Sequence, residues 1–344
     1  MKLVWHANNL IEEDWFRYIL GDLIDQEIID LKLTCFDDNS IRVVSNAWAP
    51  LESYAGYFQE CRAKCQRIIL VHVSDEYFSG GYSLYQYFDL VIRWNHSYLT
   101  NHNGIITVPL GYTNGTGHGN VPVEQRKFAW SFVGEIKSSR IAMISAFDSL
   151  TPQFVTGTDS IAKPSPIRLD KREFDAILAD SVFAPCPMGN ATIDTNRVYE
   201  SLEFGCIPLV EVRPTLDYYT KLFGSHPLPT FHNWKDARRY AEELFNDKPS
   251  LLEKQAEIVN WWRMYKTNMC AATRSAITGP SQSADLQVYA NKLRNRFSLV
   301  HEPLRIAEIL RHQTLDSFVR RISRPVGPIK RIMRESMQIG KGVP

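Results

Sequence analysis

The chain has 344 residues, of which 44% are hydrophobic and 22% are charged, and its formal net charge is +1. This length suits two domains of ordinary size, and the composition is typical of a globular protein with enough apolar material for two cores. Because the net charge is close to zero, no whole-molecule field favours nucleic acid, and we expect no nucleic-acid partner.

Short apolar segments alternate with helical patterns through the first 112 residues. Strands are predicted at residues 2–5, 41–44, 68–73, 90–93 and 105–108, with helices at 12–29, 54–65 and 97–101. This alternation favours a parallel sheet with helices packed against it. We therefore predict a Rossmann-like domain over residues 1–112.

The predicted strand at residues 68–73 ends in an acidic pair, Asp75 and Glu76. Ligands of parallel α/β sheets bind at the carboxyl ends of strands, so either carboxylate is a candidate general base. A turn or helix-capping role for Asp75 is the competing interpretation. His72, inside the strand, is predicted to be a hydrogen-bonded core residue.

Residues 111–120 contain four glycines and few side chains that could pack in a core. We interpret residues 113–126 as a linker between two domains.

A second alternating pattern fills residues 127–275, the predicted second Rossmann-like domain. Its strands are predicted at 128–133, 153–156, 181–184 and 207–212, separated by helices at 139–150, 171–179 and 195–204. Lys137 and Arg140 follow the first of these strands, where they could hold an anionic group as charge develops on it. The alternative is a solvated helix start.

The segment at residues 183–212 is the most informative part of the sequence. An apolar strand leads into a polar loop with Gly189 and Asn190, and a short helix follows, with Asp194 or Thr195 as its N-cap. On that helix Arg197 and Glu200 share one face, beside the free amides of the helix start. A diphosphate fits the loop backbone and the guanidinium, and a ribose fits the carboxylate. An ordinary Arg–Glu surface pair is the alternative.

This segment resembles the signature of the exostosin family of glycosyltransferases. The matching residues are Cys186, Pro187, Gly189, Asp194, Thr195, Arg197, Tyr199, Glu200, Gly205, Cys206, Ile207 and Pro208. Residues 128–140 and 108–112 are similar to two further segments of the family. Met188 departs from the pattern, because a basic residue is common there.

The resemblance implies a GT-B fold, in which two Rossmann-like, doubly wound domains face a cleft, here followed by C-terminal helices. It implies transfer of a hexosyl or pentosyl group from a nucleotide sugar, most simply a UDP-sugar, held by the second domain. The acceptor would be a glycan or lipid-linked glycan of surface polysaccharide synthesis, held by the first domain. Inversion would use Asp75 or Glu76 as base, with Arg140 and Arg197 on the leaving diphosphate.

Two other functions fit the same fold: a sugar-nucleotide epimerase and a non-catalytic sugar-binding scaffold. No Asp-x-Asp pair occurs, so we expect no metal, and we expect no cofactor beyond the nucleotide sugar. An assay with and without acceptor separates transfer from epimerisation.

Residues 276–344 are predicted to form C-terminal helices and a basic tail. Residues 317–344 carry seven basic residues and one acidic residue, so this tail could lie on an anionic membrane, with a solvated helix as the alternative. No apolar run reaches about 18 residues and no signal-like segment opens the chain, so we expect a cytoplasmic protein, which the basic tail could hold at the inner membrane face. Trp261 and Trp262 are predicted to pack across the two domains.

Overall fold

The computed structural model describes residues 1–158, 169–295 and 297–312. The predicted membrane contact of residues 317–344 therefore lies outside the described residues.

The first domain is built on a six-stranded parallel sheet with the order β2-β1-β3-β4-β5-β6. Its strands are β1 (Lys2–Trp5), β2 (Gln26–Ile29), β3 (Ser40–Ser45), β4 (Ile68–Val73), β5 (Leu90–Arg93) and β6 (Ile105–Thr107). Its first two helices are α1 (Glu13–Leu20) and α2 (Ala55–Lys64). This confirms the predicted parallel α/β domain.

Both faces of this sheet are covered, because side chains alternate between faces along each strand. On β4, Ile69 and Val71 join the core shared with α1, whereas Ile68 and Leu70 join a second core beneath α2. The sheet is therefore doubly wound, as predicted.

The second domain has a five-stranded parallel sheet with the order β11-β10-β9-β7-β8. Its strands are β7 (Phe128–Glu135), β8 (Gln153–Thr158), β9 (Ser181–Cys186), β10 (Ile207–Glu211) and β11 (Thr230–Phe231). Its helices are α3 (Ser139–Phe147), α4 (Lys171–Ala179), α5 (Asn196–Glu203), α6 (Tyr218–Phe223) and α7 (Trp234–Asn246). The four predicted strands are confirmed, and the pairing with β11 extends the sheet.

Two predicted helices are wrong. The helix predicted over residues 12–29 ends at Leu20, because Gly21 adopts a φ of 49°, and the chain then returns as β2. The helix predicted over residues 97–101 is a turn in which Thr100 N–H donates to the carbonyl of Ser97 at 3.2 Å.

Segment 113–126 is tied to both domains rather than free of contacts. Asn114 donates from its backbone to the carbonyl of Ile11 at 2.6 Å, in the first domain. Gly117 N–H donates to Asp175 at 2.9 Å, in the second domain. The crossing between the domains is therefore held by hydrogen bonds on both sides.

The C-terminal helices return the chain to the first domain. They are α8 (Lys248–Thr278), α9 (Ser283–Asn295) and α10 (Phe297–His312). On α8, the Trp262 ring lies 6.2 Å from that of Trp15 in the first domain and 6.0 Å from that of Tyr199 in the second, which confirms the predicted packing across domains for Trp262. The Trp261 ring packs on Phe223 of the second domain at 5.2 Å. Leu286 of α9 enters the second core of the first domain. Within the described ranges, no helix has both the length and the apolar character needed to cross a bilayer.

Candidate functional site

Both sheets have the same winding, and this creates a crevice at the carboxyl end of each. In the first sheet, β1 is followed by a strand on one side and β3 by strands on the other side, so the strand order reverses between these two neighbours. In the second sheet, the strand order reverses in the same way between β7 and β9. Ligands of open α/β sheets bind at such a topological switch point. Lys137 and Arg140 follow β7 and the Gly189 loop follows β9, so the predicted anion-binding residues converge on one crevice.

Arg140, in the first turn of α3, extends across this crevice. Its Nη1 donates to the carbonyl of Glu135 at 2.9 Å, and its Nη2 approaches the carbonyl of Met188 at 3.4 Å. Burial, followed by the positive charge of Arg197, lowers the pKa of Arg140 to about 10. The structure therefore brings together the two arginines that the sequence predicted.

Arg197 lies in the first turn of α5, close enough to Arg140 for its charge to act on it. It donates to the carbonyl of Val133, and its guanidinium stacks over Phe132 at 4.4 Å from the ring centroid. Burial lowers its pKa. A Cβ at position 134 would meet Arg197 Nη2 at 3.1 Å, and Gly134 has a φ of 151°, so glycine gives the guanidinium its room.

The two guanidiniums lack salt bridges within the described part of the chain, since nearby acids are engaged elsewhere. Glu135 pairs with Lys137, and Glu211 pairs with Arg213 at 2.5 Å. Two cations held at one crevice without acidic partners attract an anion with more than one charge. Lys137, by contrast, is placed beside the crevice but is already paired.

The loop at residues 188–195 uses several of its amides internally. Met188 N–H donates to Glu211 at 2.9 Å, and Gly189 N–H donates to the carbonyl of Thr192 at 3.0 Å. Ile193 N–H donates to Nδ1 of His312 at 3.3 Å, and Thr195 N–H to Asp194 at 3.0 Å. These four amides are not available to a phosphate, which corrects the expectation that the whole loop backbone would hold one.

Gly189 has a steric role in this loop. A Cβ there would lie 2.6 Å from the carbonyl oxygen of Asp194, closer than any real contact. Asn190, the next residue, is exposed at the loop tip.

Asp194 anchors the start of α5. Its carboxylate accepts hydrogen bonds from Tyr199 at 2.8 Å and Tyr218 at 2.9 Å, and burial raises its pKa to about 7. Thr195 is the N-cap residue, with extended backbone and without a side-chain capping bond. Asp194 therefore positions the helix that carries Arg197.

Arg197 and Glu200 line an open cleft of about 440 Å³, named here the α5 cleft. Its lining comprises Thr113, Val133, Leu169, Asp170, Lys171, Phe174, Thr195, Asn196, Arg197 and Glu200. Glu200 is buried, and its Oε1 accepts from Thr113 at 2.5 Å and from Lys171 at 3.2 Å. Both of these hydrogen bonds use Oε1. Within the described part of the chain, Oε2 accepts no hydrogen bond and is free to bind a ligand.

Thr113 and Lys171 are cleft residues that sequence reasoning missed. Lys171 opens α4 and also pairs with Asp175 at 2.7 Å, whereas Thr113 lies in the crossing segment. Nothing in the sequence distinguishes this lysine from an ordinary one in the first turn of a surface helix. Its role is visible only in the folded chain, where Lys171 lies beside Glu200.

Asp75 lies just after the carboxyl end of β4 and is surrounded by hydrogen-bond donors. One oxygen accepts from Asn46 at 2.9 Å and from Ser79 N–H at 2.7 Å. The other accepts from Tyr82 at 2.6 Å and from Arg93 at 3.1 Å. With both oxygens saturated and buried, Asp75 holds the loops at this edge together. His72, bonded to Tyr85 at 2.7 Å, is a core histidine as predicted.

Glu12 is a third residue that sequence reasoning missed. It follows β1 at the switch point of the first sheet and precedes α1. Burial, followed by the negative charge of Glu76, raises the pKa of Glu12 to about 8. An acidic residue in the segment between the first strand and the first helix was the available signal, but it was included in the long helix predicted over residues 12–29.

The sequence matches no protein-family model, and no significant relative is found among curated proteins. An α1,3-fucosyltransferase crystal structure is similar, with 17% identity, a TM-score of 0.50 and coverage of 83% of this chain and 92% of that one. The β-glucosyltransferase of phage T4 in complex with UDP and Mn²⁺ has 14% identity and a TM-score of 0.45, covering 81% and 100%.

Two parallel α/β domains and this likeness decide the architecture. The chain has a GT-B fold. In this GT-B arrangement the second-domain crevice carries Arg140 and Arg197, and the first-domain crevice carries Glu12 and the 75–76 loop. The finer resemblance to the exostosin family stays a prediction.

Proposed function

We propose that this GT-B protein is a glycosyltransferase that moves a sugar from a nucleotide-sugar donor to an acceptor hydroxyl. The observation that carries the proposal is the pair Arg140 and Arg197, two guanidiniums without acidic partners in the described chain at the switch point of the second sheet. A departing nucleoside diphosphate is the group whose charge such a pair would stabilise. The glycosyltransferase neighbour of the same fold supports this reaction class.

The α5 cleft suits the nucleoside half of the donor. Glu200 offers Oε2 to ribose hydroxyls, while its Oε1 is held by Thr113 and Lys171. Phe174 lines the same cleft and offers an apolar surface. UDP is the proposed nucleotide, on the basis of the exostosin resemblance.

The proposed chemistry is a single displacement with inversion. The acceptor oxygen attacks the anomeric carbon, the bond from that carbon to the diphosphate oxygen breaks, and a carboxylate takes the hydroxyl proton. We assign the base to Glu76, because Asp75 is saturated by four donors and because burial, followed by the charge of Glu76, raises the pKa of Glu12 to about 8. The two guanidiniums supply positive charge at the leaving group, so the proposed reaction is metal-independent.

The proposed acceptor is a glycan or lipid-linked glycan of surface polysaccharide synthesis. It would approach from the first domain, whose strand ends face the second domain across the cleft. The support is the family resemblance and the position of Glu76 after β4.

One experiment separates transfer from the alternatives. The protein is incubated with UDP-sugars, with and without oligosaccharide acceptors, and free UDP and sugar isomers are measured. Acceptor-dependent UDP release supports the proposal, whereas acceptor-free isomerisation or binding alone overturns it. The Arg197→Ala variant should lose the release, while Arg239→Ala on the exposed face of α7 should keep it.

A further inference from the structure

A second cleft, of about 350 Å³, lies between the two domains beside α6 and is named here the α6 cleft. Its lining comprises His96, Tyr98, Asn101, Leu216, Lys221, Glu308 and Arg311. The first two side chains come from the loop after β5, Lys221 from α6, and the last two from α10. Both domains and the returning helix thus build this cleft together.

The α6 cleft lies next to the α5 cleft along the domain boundary. The Tyr218 hydroxyl accepts from His96 N–H at 3.2 Å and donates to Asp194 at 2.9 Å. Asp194 directly precedes Thr195, which lines the α5 cleft. One tyrosine side chain therefore connects the two, so an acceptor bound in the second cleft would lie close to a donor bound in the first.

The α6 cleft has an excess of positive charge. Arg311 pairs with Glu308 at 3.2 Å, whereas Lys221 has no acidic partner within the described ranges. Burial lowers the pKa of His96, and the charges of Lys221 and Arg311 lower it further. The cationic surroundings that disfavour protonated His96 would favour an anion in the same space.

Aromatic side chains extend from this cleft along the first domain. Trp48, Tyr77 and Tyr98 are each between 37% and 44% exposed, and they lie on the loops after β3, β4 and β5. Neighbouring strands are about 4.8 Å apart, so three of them span roughly 10 Å. Exposed aromatic rings offer an apolar face with a polar tip, which suits the apolar faces of sugar rings.

We propose that the α6 cleft binds an anionic group of the acceptor, a phosphate or a uronate carboxylate, through Lys221 and the Arg311–Tyr98 pair. The guanidinium of Arg311 lies over the Tyr98 ring at 5.6 Å and is fixed by the Thr215 carbonyl at 3.3 Å. The sugar next to the anionic group packs on the exposed aromatic row. This inference rests on the proposed function, because it makes the ligand an acceptor.

The test is calorimetric binding to the full-length protein with saturating UDP, so that the α5 cleft is filled. Cellobiouronic acid is compared with cellobiose, and glucose 6-phosphate with glucose. The anionic member of at least one pair should bind about tenfold more tightly, and the pair that responds identifies carboxylate or phosphate. Lys221→Gln should remove the preference, and Lys235→Gln on the exposed side of α7 should retain it.

The outcomes separate this inference from the proposed function. Equal affinities within both pairs, or a preference that survives in Lys221→Gln, would overturn the acceptor site even if UDP binds normally. A protein that binds no UDP but shows Lys221-dependent anion binding would overturn the glycosyltransferase proposal and leave the anion site standing. Lys221→Gln must keep the wild-type affinity for UDP for its loss of preference to support the site.

Discussion

Arg140 lies close enough to Arg197 for the charge of Arg197, after burial, to lower the pKa of Arg140 to about 10, and neither guanidinium has a salt bridge in the described part of the chain. Like charges held this way are unfavourable in the empty protein and favourable once an anion lies between them. Their anchors are backbone carbonyls, those of Glu135 and Val133, which fix direction without neutralising charge.

Replacing either arginine should therefore remove diphosphate binding. We expect Arg140→Gln and Arg197→Gln each to weaken the binding of UDP by about 10- to 100-fold, since hydrogen bonds to charged groups contribute about 1.5–3 kcal/mol. Thermal shift with UDP measures this, because ligand at about 100 times its Kd adds about 2.7 kcal/mol of stability. Arg239→Gln is the control, and UDP affinities equal to the wild type in both crevice variants would refute the diphosphate site.

Glu200 should matter for the ribose and not for the phosphates. We expect Glu200→Gln to weaken the binding of UDP by about tenfold, because the amide keeps one acceptor oxygen but loses the charge that strengthens the hydrogen bonds to ribose hydroxyls. Inorganic pyrophosphate should bind the variant as it binds the wild type. Glu242→Gln on α7 is the matched control, and an equal loss for UDP and pyrophosphate would contradict the assignment.

Glu12 should make stability depend on pH. The pKa of Glu12 is raised from 4.5 to about 8 in the folded protein, so between these values the folded state binds a proton that the unfolded state releases. The free energy of unfolding should then fall as pH rises through this window, by at most about 1.4 kcal/mol per pH unit. Urea titrations from pH 5 to 8 should show a shallower fall for Glu12→Gln than for the wild type or Glu13→Gln.

Of the acidic pair after β4, we expect Asp75 to contribute to stability and Glu76 to catalysis. Asp75→Asn leaves the buried Arg93 without its ion partner, and we expect a loss of about 3–5 kcal/mol in the free energy of unfolding. Glu76→Gln should cost less stability than Asp75→Asn, because Glu76 is only half-buried, and should reduce kcat by about 10²- to 10⁴-fold, the range of general base catalysis. Full turnover in Glu76→Gln would remove Glu76 as the base.

The architecture was largely readable from the sequence, because parallel strands buried on both faces are continuous apolar runs. The segments at 68–73 and 181–184 are of this kind, and both are central strands. The short strand β2 was missed because its four residues, Gln26–Ile29, are mostly exposed at the sheet edge. An edge strand of this kind carries no apolar run.

The sequence by itself determined the two alternating strand–helix units and the loop–helix segment with Arg197 and Glu200, since these depend on patterns among near neighbours in the chain. The tertiary structure alone decided that Thr113 and Lys171 hold Glu200, that Asp75 is saturated, and that α10 delivers Arg311 beside Lys221. Thr113 and Lys171 are 87 and 29 residues from Glu200, Arg93 is 18 residues from Asp75, and Arg311 is 90 residues from Lys221. Their meeting depends on how two sheets and a returning helix pack, and no local pattern encodes that packing.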